Sequence, residues 1–133
     1  MRPPAVDCWL NVPVGFADYR PEFLVRVARD YFKREREIFD PAPLPELLRQ
    51  MDESGVERAA ITIDAHRPEP FDEIVQAFPG KFLPSAVVDP TQGMETLRLI
   101  ERLATRHGLG LVRIVPFMVN RPPNDKVYYP VYA

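Results

Sequence analysis

The chain has 133 residues, 46% of them hydrophobic and 27% charged, a composition typical of one soluble globular domain. Its 17 basic and 19 acidic residues leave a net charge of -2, which argues against a surface for nucleic acid or an anionic membrane. Cys8 is the only cysteine, so an internal disulfide is excluded and a reducing, cytoplasmic location is expected. No apolar run approaches the roughly 18 residues of a membrane span, so we predict no membrane partner.

Short apolar runs bounded by proline, glycine or aspartate predict four strands. The second run, Arg-Ala-Ala-Ile-Thr-Ile-Asp, is apolar almost throughout and indicates a strand buried on both faces. The predicted strands lie at Ala5 to Val12, Arg58 to Asp64, Phe82 to Val88 and Leu109 to Phe117.

One-sided apolar spacing predicts the helices between them. They span Pro21 to about Glu37, Leu44 to Ser54, Phe71 to Phe78 and Met94 to His107. The first belongs to an insertion at about 16–43, which suits a lid over a pocket or an oligomer contact. Glycines at 55 and 108 are expected to end two of the helices.

Strands that alternate with helices imply parallel βαβ units with right-handed crossovers. Two α/β architectures fit this order, an open doubly wound sheet and a closed barrel. No G-x-G-x-x-G or G-x-x-x-x-G-K-[ST] pattern follows a strand, which weakens a nucleotide-binding interpretation of the open sheet.

Several segments, taken in order and spacing, resemble the amidohydrolase-2 family, which contains decarboxylases and lactonases of aromatic and related carboxylic acids. The most specific is Val112-Arg113-Ile114-Val115-Pro116-Phe117. It is followed by Pro122-Pro123-Asn124-Asp125 and Tyr128-Tyr129-Pro130-Val131-Tyr132-Ala133. Supporting segments are Leu47-Leu48-Arg49-Gln50-Met51-Asp52-Glu53-Ser54-Gly55-Val56 and Phe78-Pro79-Gly80-Lys81-Phe82.

The resemblance implies a TIM-like (β/α)8 barrel, which usually needs about 250 residues. Residues 1–133 are therefore expected to form one domain, the N-terminal half of such a barrel, with about four of its eight units. Tyr128 to Ala133 are expected to open the fourth barrel helix. A half barrel has two open strand edges, so we predict a homo-oligomer or association with a missing C-terminal half.

The family's metal site begins on the first strand with an Asp-x-His-x-His pattern, and a divalent metal such as zinc is possible in the family. Here Asp7 is present, but Trp9 and Asn11 stand at the histidine positions. Tryptophan has no lone pair for a metal and asparagine is a poor zinc ligand. We therefore predict no metal bound by these residues and no cofactor held by this chain.

The same strand offers candidates for substrate contact, because barrel active sites lie at the carboxyl ends of the strands. Asn11 suits a hydrogen bond to substrate or the start of the turn at Pro13. Trp9 suits a pocket wall or barrel packing. Asp7 suits a catalytic carboxylate or a structural acceptor inside the barrel. Cys8 is expected to be a small buried hydrophobe rather than a nucleophile.

His66 follows the second strand, at the expected mouth of the barrel, and suits a general base or a solvated loop histidine. His107, in the last turn of a helix, is expected to be structural. Arg113 lies within the fourth apolar strand, where a buried guanidinium needs an anionic partner. That partner is either a substrate carboxylate, bound in a bidentate manner, or Asp64 or Asp7 in an ion pair.

Three functions remain open on the sequence. The resemblance implies a hydrolase or carboxy-lyase for a small carboxylated substrate, aromatic acids included, with His66, Arg113 and Asp7 as catalytic candidates. Trp9, Asn11 and Asp64 are its candidate substrate-binding residues. The alternatives are a non-catalytic barrel subunit or assembly partner, and an open α/β domain that binds a small molecule.

Overall fold

A computed structural model describes residues 3–14, 20–40 and 42–133 of the chain. Four strands form one sheet in the order β1-β2-β3-β4, and each neighbouring pair is parallel. The strands are β1 (Ala5–Leu10), β2 (Val56–Thr62), β3 (Phe82–Val87) and β4 (Leu111–Arg113). This confirms the predicted α/β class, the parallel pairing and the sequential strand order.

The fourth strand is much shorter than the predicted 109–117. β4 pairs with β3 over three residues, from Leu111 opposite Ser85 to Arg113 opposite Val87. Three residues beyond the end of the strand, Pro116 opens a 3-10 turn that runs to Met118. Proline has no backbone N–H for a strand ladder. Strand pairing therefore cannot continue through Pro116, although the apolar run does.

Three of the predicted helices are present, the first and third with the predicted bounds and the second shifted by one or two residues. They are α3 (Leu44–Ser54), α4 (Glu69–Ala77) and α5 (Met94–His107). Gly55 and Gly108 follow α3 and α5 with φ of 73° and 63°. This left-handed geometry favours glycine and ends each helix as predicted. At the carboxyl end of the chain, α6 (Tyr129–Tyr132) forms where a helix was expected to open.

The single helix predicted from Pro21 to about Glu37 is wrong. Helix α1 (Glu22–Arg26) continues directly into a π-helical turn at Val27–Tyr31, and α2 (Glu35–Phe39) follows separately. Lys33, with φ of 57°, separates the two helical pieces. Part of the predicted insertion at about 16–43 lies outside the described residues, which omit 15–19 and 41.

The main core lies between the sheet and helices α3, α4 and α5. Two alternate residues of β2, Ala59 and Ile61, point into this core, as does Ile63 just after the strand. Ile61 is fully buried there. The core members of the sheet and helices are Met51, Ala59, Ile61, Ile63, Phe71, Ile74, Phe82, Ala86 and Leu103. Since successive strand side chains point to opposite faces, Ala60 and Thr62 face the other side of the sheet.

That other face is concave. Three strand spacings of about 4.8 Å would put β1 and β4 roughly 14 Å apart in a flat sheet. Nevertheless, the Arg113 side chain on β4 donates a hydrogen bond to the carbonyl of Cys8 on β1. The sheet is therefore curled like part of a barrel wall, and its inner surface brings the first and fourth strands together.

Within the described residues, no helix has the length and apolarity needed to cross a bilayer.

Candidate functional site

The guanidinium of Arg113 lies at the centre of the concave face. Nη1 donates to the Thr62 hydroxyl at 2.6 Å, and Nη2 donates to the Ala60 carbonyl at 3.4 Å and to the Cys8 carbonyl. The residue is only 8% exposed. One arginine on β4 thus contacts both β2 and β1.

The indole of Trp9 covers one face of this guanidinium. The Arg113 Cζ atom lies 4.5 Å from the centre of the Trp9 ring, within the range of a cation–π interaction. Trp9 is nevertheless 55% exposed. One side of the indole therefore contacts the cation, and much of the rest of the ring is open to solvent or a ligand.

The expected ion pair of Arg113 with Asp64 or Asp7 is wrong. Among the described residues, no carboxylate lies within ion-pair distance of Arg113. Burial lowers the pKa of Arg113, and Cys8 and Asp7 oppose that shift electrostatically. The hydrogen-bond partners of this buried cation are a hydroxyl and two carbonyls, all of them neutral.

The guanidinium retains donors for a further acceptor. Arginine carries five N–H groups, and Nε makes no hydrogen bond to the described residues, while Nη1 makes one. No fully buried side-chain nitrogen or oxygen of the described part lacks a partner. The unused donor at Nε therefore reaches solvent, which is what an incoming anion requires.

A β-bulge in β1 explains why the Cys8 carbonyl is available to Arg113. The register runs from Asp7 opposite Ala59 to Leu10 opposite Ile61. Two residues of β1, Cys8 and Trp9, thus stand against one residue of β2. Because a bulge disrupts the ladder locally and redirects side chains, its carbonyl can accept from Arg113 and its indole can lie over the guanidinium.

Asp64 and His66 belong to a different part of the molecule. The Asp64 carboxylate accepts from the backbone N–H groups of His66 at 2.9 Å and Arg67 at 3.3 Å. It therefore stabilises the turn after β2 instead of pairing with Arg113. The His66 side chain is exposed and lies on a cleft of about 1000 Å³ at the carboxyl ends of β2 and β3.

The other candidate residues of the first strand lie in three different environments. Asp7 is half-buried, aligns with core-facing Ala59 and accepts from the backbone N–H of Trp9 at 2.8 Å. Asn11 is exposed just beyond the end of β1. Cys8 is exposed, so the expectation that it is a buried hydrophobe is wrong. An edge strand leaves its bulge open on one side, which accounts for that exposure.

His107 has a structural partner, in keeping with the structural role expected for it. Its Nδ1 lies 2.8 Å from Asp72 Oδ2, and both side chains are largely buried. The pair joins the end of α5 to the first turn of α4 and lies away from the concave face.

The described residues do not fit the metal centre that the resemblance implies. They contain no group of three or more His, Cys, Asp or Glu side chains placed to share an ion. The strand positions that would supply histidines hold Trp9, which stacks on a cation, and Asn11. The absence of metal ligation by these two residues stays a prediction.

Thr62 is the site residue that the sequence analysis missed. Its hydroxyl accepts from Arg113, and it also lines the cleft that contains Asp64 and His66. A polar residue within the apolar run of β2, on the face opposite to Ile61 and Ile63, is the signal that could have found it. Thr62 connects the two groups of predicted residues.

Comparison with protein-family models, with curated proteins and with solved structures finds no match for this chain.

Proposed function

We propose that the concave face binds the carboxylate of a small molecule, with Arg113 as the recognising group and Trp9 as a flat apolar wall. We further propose that this half-barrel sheet belongs to an amidohydrolase-type (β/α)8 barrel, and that the ligand is the substrate of a hydrolase or carboxy-lyase. The resemblance of the segments around Arg113 and Tyr128 to that family supports the second step.

The observation that carries the proposal is the buried guanidinium with neutral partners only. A charge removed from water without a counter-ion is costly. A carboxylate ligand supplies the missing charge and forms the paired N–H···O bonds for which arginine is suited. The aromatic ring of a carboxylic acid also has room to stack on the exposed side of Trp9.

A second candidate function is that of a non-catalytic subunit whose sheet binds another chain in an assembly. It is favoured by the open backbone edges of β1 and β4 and by exposed apolar side chains on or next to the sheet, Val6 and Phe117 among them. Histidines are also absent from the first-strand ligand positions. Under this proposal the counter-charge for Arg113 comes from a partner chain rather than from a substrate.

Trp9 provides the test, because it is the only tryptophan of the chain and it contacts Arg113. Benzoate is titrated against the purified protein while Trp9 emission is recorded, with benzamide as the neutral isostere and sodium chloride at matched ionic strength. We expect saturable quenching or a spectral shift with benzoate alone. Arg113→Met, checked for folding by circular dichroism, should abolish the response.

Acetate is titrated in parallel to separate the contribution of charge from that of ring stacking. An equal response to benzoate and benzamide would show that Arg113 does not recognise the negative charge of the ligand. No response to either carboxylate would favour the assembly candidate.

A further inference from the structure

We infer that Arg113 Nη2 switches between two acceptors: the Cys8 carbonyl, to which it donates in the structure, and the carboxylate of a bound ligand. Ligand binding on the concave face thereby releases the bulge of β1. This inference rests on the proposed carboxylate site and adds its regulation, which is a coupling between the site and the edge strand.

The stereochemistry of the guanidinium makes the two acceptors compete. A carboxylate can bind through two parallel N–H···O bonds along either of two edges. The side edge uses Nε and Nη2, and the end edge uses Nη1 and Nη2. Both edges therefore require an N–H group of Nη2, and both N–H groups of this nitrogen already donate in the structure, to the carbonyls of Cys8 and Ala60.

The bulge has few other attachments at this point. Strand β1 lies at the edge of the sheet, so β2 is its only strand neighbour in the described structure. Between Asp7 and Leu10 the regular register with β2 is interrupted. The carbonyl of Cys8 and the indole of Trp9 are instead held by Arg113. Loss of the Nη2 bond therefore loosens the segment that carries Trp9 and leads to Asn11.

The direction of the coupling follows from the thermodynamics of linked binding. A ligand that takes Nη2 favours the state in which the bulge is released, and a released bulge favours the ligand by the same factor. Ala60 lies in β2, which is paired with a strand on each side, whereas Cys8 lies in the bulge of an edge strand. Loss of the Cys8 bond is therefore the change that couples the ligand to β1.

Hydrogen–deuterium exchange measured on the full chain tests the switch. Deuterium uptake is followed for the peptide covering 5–12, with the α5 peptide 94–107 as an internal reference, with and without saturating benzoate. Binding is monitored in the same samples through Trp9 emission. We expect exchange in 5–12 to rise about tenfold with benzoate, the change associated with one charged hydrogen bond, while α5 is unchanged.

Two variants separate the switch from a general loss of stability. Arg113→Lys keeps the charge but removes the two-nitrogen edge, so benzoate should no longer accelerate exchange in 5–12. Arg36→Lys makes the same substitution at an exposed arginine of α2, so the benzoate effect on 5–12 should persist.

The outcomes for the site and for the switch are distinct. Benzoate binding with unchanged or slower exchange in 5–12 overturns the switch and leaves the proposed site intact. Absence of binding overturns the proposed site and the switch together. An equal benzoate effect in Arg113→Lys also overturns the switch, because the effect would then need only a point charge.

Discussion

Arg113 lies over Trp9, with its Cζ atom 4.5 Å from the centre of the indole, although 104 positions separate the two residues in the sequence. The contact joins the fourth strand to the first across the concave face. Both partners belong to edge strands of the sheet, which have a paired neighbour on one side only. The pair therefore contributes to the curl of the sheet as well as to the character of the site.

A double-mutant cycle measures this contact. Trp9→Leu and Arg113→Met are made singly and together, and the free energy of unfolding is taken from urea denaturation followed by circular dichroism. We expect a coupling free energy of about 1 kcal/mol between the two positions, the usual size of a partly exposed cation–π pair. Additive effects would show that the stacking contributes nothing to stability.

Removal of the guanidinium alone tests the absence of an acidic partner. Arg113→Met loses its bonds to Thr62 and Cys8 but also removes a desolvated charge, so we expect a loss of about 1–2 kcal/mol in unfolding free energy. Arg58→Met, at an exposed arginine of β2, is the control and should change stability by less than about 0.5 kcal/mol. A loss of about 3–5 kcal/mol for Arg113→Met would indicate a carboxylate left unpaired by the substitution.

Much of the fold follows from apolar spacing and from the glycine stops. Helices α3 and α5 have the boundaries that their periodicity predicts, because each presents one apolar stripe and ends at a left-handed glycine. The single helix predicted from Pro21 to Glu37 is wrong because few other residues cover its apolar face. Ala28 is buried there, but Tyr31 is 78% exposed. Spacing predicts a helix only where a core receives its apolar face.

The site was only partly predictable. Burial of Arg113 follows from its place in an apolar run, but its partners depend on strand register. The bulge at Cys8 and Trp9 supplies a carbonyl and a ring where the sequence suggested the carboxylates of Asp7 or Asp64. Asp64 is instead engaged by the turn that follows its own strand. The turn after β2 therefore takes Asp64 away from Arg113, and the irregular register of β1 gives Arg113 a carbonyl and a ring as partners instead.

Glu46 offers a test of surface electrostatics on α3. Hydrogen bonds from Arg49 and then Gln50 lower the pKa of Glu46 to about 2. A depressed carboxyl pKa stabilises the fold above the ordinary value near 4.5, and that stabilisation is lost as the pH falls from there through about 2. Titration of the side-chain carboxyl by NMR should give this low pKa, and Arg49→Gln should raise it toward the ordinary value. Since the group is exposed, added salt should also raise it.

Among the glycines that the structure describes, Gly110 is the one at which a side chain would meet the sheet. A Cβ atom placed there would lie 2.3 Å from Leu83 Cδ1 and 3.0 Å from its Cγ. Leu83 is 46% exposed and can move, so we expect Gly110→Ala to cost about 1 kcal/mol in thermal or urea unfolding. In a Leu83→Ala background the same substitution should become stabilising by about 0.4–1 kcal/mol, because alanine restricts the unfolded chain. If Gly110→Ala still destabilises the protein in the Leu83→Ala background, then the new methyl group clashes with the backbone and not with the Leu83 side chain.

The last prediction concerns the open edges of the sheet. β1 and β4 each present a row of backbone N–H and C=O groups on the side away from their described neighbour, and such edges tend to pair with further strands. Val6 on β1 is 62% exposed and aligns with Arg58 of β2. We therefore expect the 133-residue chain to self-associate at tens of micromolar, as measured by size-exclusion chromatography with light scattering.

Val6→Lys should shift that equilibrium toward the monomer, because a lysine on an edge strand opposes further pairing. It should leave the melting temperature nearly unchanged, since little of the Val6 side chain is buried. Ile38→Lys, at a 47% exposed position on α2, is the matched control and should not alter association. If the unmodified chain remains monomeric, or if both lysine variants dissociate it equally, the edge of β1 is not the surface that pairs. The exposed apolar residues outside the sheet would then account for any association that is observed.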